Sequence, residues 1–259
     1  MSLDGFIAGP NSRPDNPLGD GGMRIHEWVF GVESWRARQN IDGGQTNQDD
    51  DIVQENFSRA GACVMGRKMF AEGEVGWPDP PPFRAPVFVL THTPREPWVR
   101  KGGTTFTFVT EGIDSALAHA RKAAGDKDVQ ISGGADAVRQ FIDAGLLDEL
   151  QIHLAAPRTR LGRPALRRRL ARSRTRAHTG GRLRPGHSPH VPDHIVLDCP
   201  RSHDGATSGS RVLAQLLPVV AVHSASVSSS SRPPVAGRAA GVGCHRLGWR
   251  RGSCNGRAR

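Results

Sequence analysis

The chain has 259 residues, a formal net charge of +10 and a pI of about 10.8. The charge is unevenly divided: residues 1–156 carry 15 Lys and Arg against 22 Asp and Glu, whereas residues 157–259 carry 20 against 3. No apolar run approaches the roughly 18 residues that a membrane span needs, and no basic and apolar leader follows Met1. The composition therefore disfavours a membrane protein and favours a cytoplasmic one.

Two compositions share the chain. Residues 1–156 have the length of one ordinary domain and contain a single cysteine, Cys63, in an apolar run typical of a buried thiol in a reducing compartment. Residues 157–259 contain no Lys, Glu, Phe or Met, and all their basic residues are Arg. We therefore predict a folded domain over 1–156 and a low-complexity, disordered basic tail over 157–259.

Short apolar or alternating runs, typical of strands, recur along the first part. They are SLDGFIAG (2–9), ACVMG (62–66), PVFVLT (86–91), TFTFVT (105–110), DVQIS (128–132) and LQIHLA (150–155). Helical patterns lie between them: one follows Asp49–Asp51, one spans Ile113–Ala120, and one contains Val138, Phe141 and Ile142. Strands that alternate with helices predict an α/β domain with helices on both faces of a sheet.

Three glycine or hydroxyl junctions follow buried strands. In VMGRKMF (64–70) a strand ends at Gly66 and a helix begins with Arg67 and Lys68; in VQISGGADAVRQF (129–141) Gly133-Gly134 opens a helix. In VFVLTHTPRE (87–96) a third strand ends in two hydroxyls and an imidazole, those of Thr91, Thr93 and His92, with Arg95 near. Helix starts and glycines at the carboxyl ends of strands are typical of phosphate binding.

Each junction alone is more often a turn, a solvated helix start or a surface loop than a ligand site. Neither the G-x-G-x-x-G fingerprint nor a phosphate-binding G-x-x-x-x-G-K-[ST] loop occurs. It is the joint order of the junctions that points to a nucleotide site.

SLDGFIAGP, VMGRKMF, VFVLTHTPRE and ISGGADAVRQFIDAGLLDELQIHL together resemble the dihydrofolate reductase-like family. The resembling branch includes the reductase domain of the riboflavin-biosynthesis deaminase/reductase, and the likeness covers nearly all of residues 1–156. It implies a mostly parallel central sheet with helices on both faces. It also implies hydride transfer from NADPH to a small pteridine- or pyrimidine-like acceptor, as in 5-amino-6-(5-phosphoribosylamino)uracil reductase.

The resemblance also assigns cofactor residues, motif by motif. Four would lie at the cofactor's phosphates: Gly66, Arg67, Lys68 and Met69. Three would approach the adenosine end with its 2′-phosphate: Thr91, His92 and Thr93. Four would hold the pyrophosphate at a helix start, with a cis Gly-Gly bond: Gly133, Gly134, Ala135 and Asp136.

On the substrate side the resemblance places Leu3, Phe6 and Ile7 in the pocket. Asp4 is the candidate catalytic residue, which would orient substrate or handle a proton. The alternative for Asp4 is a carboxylate that fixes the turn. The riboflavin-pathway reductases have Lys where this chain has Phe6, so the resemblance supports the reaction type better than a phosphorylated substrate.

The family has two further strands after LQIHLA, where this chain has an arginine-rich stretch. We therefore expect LQIHLA to have an unpaired edge. Codons for residues 158–195, read one base later, are compatible with a family-like ending that includes an alternating HLTYRI run. Our hypothesis is that the reading frame changes near Ala155–Pro157. A separate expectation is that Met1 is an internal methionine, because the family's first strand usually begins several residues before SLDG.

Two alternatives remain open. In the first, the tail makes the chain a basic nucleic-acid-binding module through phosphate contacts, although we expect no specific nucleic acid. In the second, the domain is an inactive reductase-like relic. Relatives of this branch are often dimeric, so a homodimer is compatible with the resemblance. No paired C-x-x-C spacing supports a metal site.

Overall fold

A computed structural model describes residues 1–155, 163–164, 193–199 and 210–215. All of them lie in one compact unit, Met1–His223. Over these ranges no helix is long and apolar enough to cross a membrane. The predicted boundary at residue 156, the predicted disorder of the tail and the frame change concern mostly residues outside these ranges, and they stay predictions.

The helices and strands alternate along most of the described chain. The helices are α1 (Glu27–Phe30), α2 (Glu33–Arg38), α3 (Gln48–Arg59), α4 (Arg67–Gly73), α5 (Ile113–Ala124) and α6 (Ala135–Asp143), with a 3₁₀ turn at Gly22–Ile25. The strands are β1 (Phe6–Ala8), β2 (Ala60–Gly66), β3 (Val87–Leu90), β4 (Trp98–Val99), β5 (Thr105–Val109), β6 (Asp128–Gly133), β7 (Glu149–Leu154), β8 (Arg163–Pro164), β9 (Asp193–Asp198) and β10 (Val212–Gln215).

Eight strands form one sheet in the order β4-β5-β3-β2-β6-β10-β7-β9. The six inner strands run parallel, and the two outer strands, β4 and β9, are antiparallel to their neighbours. Strands β1 and β8 form a separate antiparallel pair. The predicted fold class, a mostly parallel sheet in an α/β domain, is confirmed.

Side chains of β2 alternate between two apolar clusters, as the period of a strand requires. Ala62 and Val64 pack with residues of α5 and α6, including Leu117 and Phe141. Cys63 and Met65 point to the other cluster, which contains Phe70 of α4. Helices therefore cover both faces of the sheet, and the sheet positions the residues at its strand ends rigidly.

Local sequence explains where the helices begin and end. The Asn47 side chain accepts a hydrogen bond from the Asp50 backbone N–H at 3.1 Å and caps α3, and three aspartates follow in its first turn. Helix α5 lies between two glycines with positive φ, Gly112 at +93° and Gly125 at +60°. Helices α1 and α2 were not predicted from the sequence.

The expectation of an unpaired edge at LQIHLA is wrong. On one side β7 pairs in parallel with β10, and on the other it pairs with β9 antiparallel. Val212, Leu213 and Ala214 are at most 2% exposed. Burial of this short apolar run between β6 and β7 satisfies the backbone hydrogen bonds that an open edge would leave unpaired.

The first residues of the chain also pair with the β7 segment. The Ala155 N–H donates to the Met1 carbonyl at 2.8 Å, and Ser2 forms a parallel bridge with Ala155. Two segments far apart in sequence therefore pair with β7 one after the other. They hold the turn at Asp4 and strand β1 at the carboxyl end of the sheet.

Candidate functional site

The carboxyl ends of four parallel strands open onto one cavity of about 430 Å³. Gly66 at the end of β2, Thr91 after β3, Thr110 after β5 and Gly133 at the end of β6 all line it. This is the edge where open parallel sheets place ligands, and the volume is within the range of small-molecule sites. The three junctions therefore meet at this cavity, the third of them only in part, and their roles in cofactor binding stay predictions.

The β2–α4 junction has no loop, since Arg67 follows Gly66 directly as the first residue of α4. The Lys68 ammonium donates to the Ser12 hydroxyl at 2.8 Å and pairs with Glu72 at 3.2 Å. Arg67 is exposed and lines the cavity, as Lys68 and Met69 do. The junction thus presents one paired and one solvent-facing cation.

The β6–α6 junction contains a cis Gly133-Gly134 bond, as the resemblance implied. Gly133 has φ +112°, a conformation that L side chains rarely adopt. Gly134 caps α6, and the first-turn residues Ala135, Asp136 and Ala137 line the cavity. Their N–H groups have no acceptor within the helix, so this wall carries the positive end of a nine-residue helix.

The third junction is only partly in the cavity. Thr91 and His92 line it, whereas Thr93 does not. The Thr93 N–H donates to Thr91 Oγ1 at 3.1 Å, which closes a local turn. Arg95 is turned to another partner, because its Nη1 donates to Glu74 at 2.8 Å.

Of the four residues predicted for the substrate side, one lines the cavity and three do not. Ile7 lines the cavity together with Ala8, but Leu3, Asp4 and Phe6 do not, and Leu3 is 58% exposed. The Ser2 hydroxyl donates to Asp4 Oδ1 at 2.6 Å, which is the contact that a turn-fixing carboxylate would make. The roles given to these residues stay predictions.

Several lining residues were missed by the sequence analysis. They are Ser12, Pro17, Leu18, His26, Glu72, Thr110, Gly112 and Gln140. The strand, glycine and helix order at Thr110–Ile113 was a readable signal, because it repeats the pattern of the other junctions. Ser12, Leu18 and His26 gave no such signal, since they reach the site only through the path of the loop after β1.

His26 is the most enclosed titratable group of the cavity, at 4% exposure. Its Nε2 lies 3.0 Å from the Ile7 carbonyl oxygen. Burial, opposed by this hydrogen bond and aided by the nearby Met1 ammonium, lowers the pKa of His26 to about 3. The imidazole is therefore neutral at physiological pH.

Among the described residues no cluster of three or more His, Cys, Asp or Glu side chains could hold a metal ion. The cavity's carboxylates are already paired: Glu72 with Lys68, and Asp136 with Arg139. Arg67 has no ion pair within the described ranges. An anion in the cavity can therefore pair with Arg67 without breaking an existing ion pair.

Comparison with known proteins gave three results. No curated protein matches the chain. A riboflavin biosynthesis protein from Shewanella sp. PV-4 matches at 20% identity and a TM-score of 0.48, over 78% of this chain and 96% of that one. Dihydrofolate reductase from Enterococcus faecalis, complexed with NADP(H) and RAB-propyl, matches at 17% identity and a TM-score of 0.37, over 65% of this chain and 87% of that one.

The family comparison covers most of the chain. The family model described as the RibD C-terminal domain matches residues 1–167, which include every strand end at the cavity. The match agrees with the order of motifs and with the parallel sheet that carries them. This chain therefore belongs to the RibD C-terminal domain family.

Proposed function

We propose that this chain is an NADPH-dependent reductase that transfers a hydride to a small pyrimidine- or pteridine-like acceptor. The observation that carries the proposal is the meeting of the β2, β3 and β6 strand ends at one cavity. Membership of the RibD C-terminal domain family supports it. The dihydrofolate reductase similar to this chain is itself complexed with NADP(H).

The residues present fit a dinucleotide phosphate. A Cβ placed on Gly134 would meet no atom within 4 Å, so the absence of a side chain leaves open space beside the start of α6. Backbone N–H groups at such a start favour anions. Gly133, Gly134, Ala135 and Asp136 would hold the pyrophosphate, and Gly66, Arg67, Lys68 and Met69 would lie beside the phosphates.

Preference for NADPH over NADH would come from the 2′-phosphate. Thr91 and His92, which follow strand β3, line the cavity. The Thr93 N–H donates a hydrogen bond to the Thr91 hydroxyl. Arg67 is the cation of this wall without an ion pair among the described residues. A guanidinium that faces solvent is suited to binding a phosphate, because no existing ion pair has to be broken first.

When bound, the cofactor supplies the hydride. The chain's own residues would bind, orient and exclude water: Ile7, Ala8 and Leu18 form an apolar wall where the acceptor would face the nicotinamide. Asp4, on the turn before β1, is the candidate to orient substrate or move a proton. If it does so, Asp4→Asn will lower kcat far more than Ser2→Ala, which removes only the turn contact.

The test is a fluorescence titration with NADPH and with NADH. We expect at least about tenfold tighter binding of NADPH, since a charge-assisted phosphate contact contributes roughly 1.5–3 kcal/mol. Arg67→Met should reduce this preference. Lys122→Met, which removes an exposed cation on α5 away from the cavity, is the matched control.

Equal affinity of the wild type for the two cofactors would contradict the roles of Arg67 and Thr91. NADPH binding without oxidation in the presence of any pyrimidine- or pteridine-like acceptor would instead indicate the reductase-like relic. The two outcomes are separate, because the first is read by binding alone and the second by turnover.

A further inference from the structure

His26 is a buried imidazole that lines the cavity but has no part in cofactor binding as proposed above. It lies on the same wall as Ile7, Ala8 and Leu18. It follows directly after the 3₁₀ turn Gly22–Ile25, and its Nε2 lies 3.0 Å from the Ile7 carbonyl oxygen. Under the proposed function this wall faces the acceptor, so His26 would face it too.

The hydrogen bond to Ile7 fixes the tautomer. A backbone carbonyl oxygen only accepts, so His26 Nε2, 3.0 Å from the Ile7 oxygen, must carry the proton and donate it. A neutral imidazole has one N–H, so Nδ1 is left as a bare acceptor. The lowered pKa of His26 agrees with this neutral form.

His26 Nδ1 has no hydrogen-bond partner among the described residues, and it is not among their fully enclosed, unpartnered side-chain atoms. Because His26 lines the cavity and is only 4% exposed overall, we take the cavity as the route by which a ligand reaches Nδ1. A polar atom in such a site costs free energy when a ligand displaces water from it, unless the ligand supplies a donor.

We propose that His26 determines substrate specificity by accepting, at Nδ1, a hydrogen bond from an N–H or O–H group on an uncharged part of the acceptor. The Ile7 carbonyl holds the imidazole in the required tautomer. A lactam ring with ring N–H groups fits this requirement. A fully N-alkylated ring or an anionic group at that point does not. The inference rests on the proposed function, since it takes the cavity as the site of both cofactor and acceptor.

The test compares uracil, which has two ring N–H donors, with 1,3-dimethyluracil, which has none. NADPH binding is first measured by fluorescence, so a failure of the proposed function is seen separately. The NADPH-bound protein, labelled with ¹⁵N-histidine, is then titrated with each probe while the His26 Nδ1 resonance is followed. Uracil should move that resonance upfield, as acceptance of a hydrogen bond does, and 1,3-dimethyluracil should not.

His26→Gln distinguishes recognition from a purely structural role. Its amide can still donate to the Ile7 carbonyl, but the acceptor is no longer at the Nδ1 position. Wild type should bind uracil roughly 3- to 10-fold tighter than 1,3-dimethyluracil, the range of one hydrogen bond, and the ratio should fall in the variant.

Three results would overturn the proposal: no uracil binding to the NADPH-bound protein, binding with an unmoved Nδ1 resonance, or an unchanged ratio in His26→Gln. If the variant fails to fold, the wild-type resonance decides alone.

Discussion

The guanidinium of Arg59 donates from Nη1 and Nη2 to the two carboxylate oxygens of Glu149, at 3.1 and 3.2 Å. Its Nε donates to Asp128 at 2.8 Å. Arg59 ends α3, whereas Asp128 and Glu149 begin β6 and β7. One side chain therefore fixes the separation of the two strands between which β10 lies.

Removing Arg59 should be strongly destabilising. Glu149 is only 4% exposed, and burial acts to raise its pKa; the hydrogen bonds from Arg59 and Gln151 outweigh this and hold the pKa below its usual value. Arg59→Met leaves that carboxylate buried without its main partner, so the free energy of unfolding should fall by about 3 kcal/mol in urea denaturation.

Glu55→Gln is the control for Arg59→Met. Glu55 is a largely exposed partner of Arg59 at 3.9 Å, so its loss should change stability by less than about 0.5 kcal/mol. Equal effects of the two substitutions would contradict the role given to the buried pair.

Stability should fall in acid through His26. The pKa of His26 is about 3 in the folded state against 6.5 unfolded. Between those values the unfolded chain binds the additional proton. The contribution is thus complete above pH 6.5 and is lost as the pH falls towards 3, at up to about 1.4 kcal/mol per pH unit.

The comparison that isolates His26 is urea denaturation of wild type and His26→Gln at several pH values. The variant has no imidazole to protonate, so the stability difference between the two proteins should shift in its favour as the pH falls from 6.5 to 4. Parallel curves would mean that His26 does not titrate as described.

Gly134→Ala should separate binding from stability. Gly134 has φ −69°, which alanine adopts freely, and its Cβ would meet no protein atom. The variant should lose no more than about 1 kcal/mol of unfolding free energy, the difference between glycine and alanine at an N-cap. Its NADPH affinity should fall at least about tenfold, because the methyl group would occupy space given to the pyrophosphate.

Gly31→Ala is the matched control for this substitution. Its φ is −87°, its nearest Cβ contact is an ordinary 3.9 Å, and it does not line the cavity. NADPH affinity should be unchanged in this variant. An unaltered affinity in Gly134→Ala as well would argue against the pyrophosphate site at α6.

Leu213→Asp tests whether β10 belongs to the sheet. Leu213 is 2% exposed and pairs with Gln130 of β6 and Glu149 of β7. A buried carboxylate there should lower the free energy of unfolding by at least about 3 kcal/mol. The same change at exposed Leu3 should cost little.

A stability unchanged by Leu213→Asp would place residues 212–215 outside the folded sheet. That result would favour the hypothesis that the reading frame changes near Ala155–Pro157. Sequencing the gene through those codons decides that hypothesis independently.

The sequence allowed prediction of what is local. The strand before Gly66 and the one before Gly133 are short apolar runs bounded by glycine, so both the strands and their junctions could be read from the pattern. Helix α3 was predicted from its aspartates, although Asn47 is the cap. These features depend on a few neighbouring residues.

Other features depend on contacts between distant segments. Strand β10, Val212–Gln215, is only four residues long and follows an arginine-rich stretch. It is a strand because its backbone pairs with β6 on one side and β7 on the other. His26 gave no periodic signal, and its importance follows from the Ile7 carbonyl that it meets in the folded chain. The resemblance assigned four residues to the substrate side, and of these four Ile7 lines the cavity whereas Leu3, Asp4 and Phe6 do not.

The central claim is that the strand-end cavity binds NADPH with its pyrophosphate at the start of α6. A crystal structure of the NADPH complex tests it most directly. The account predicts pyrophosphate oxygens within hydrogen-bond distance of the Ala135 and Asp136 N–H groups, and the nicotinamide in the cavity facing the wall of Ile7, Ala8 and Leu18. NADPH bound elsewhere, or a cavity left empty at saturating NADPH, would contradict it.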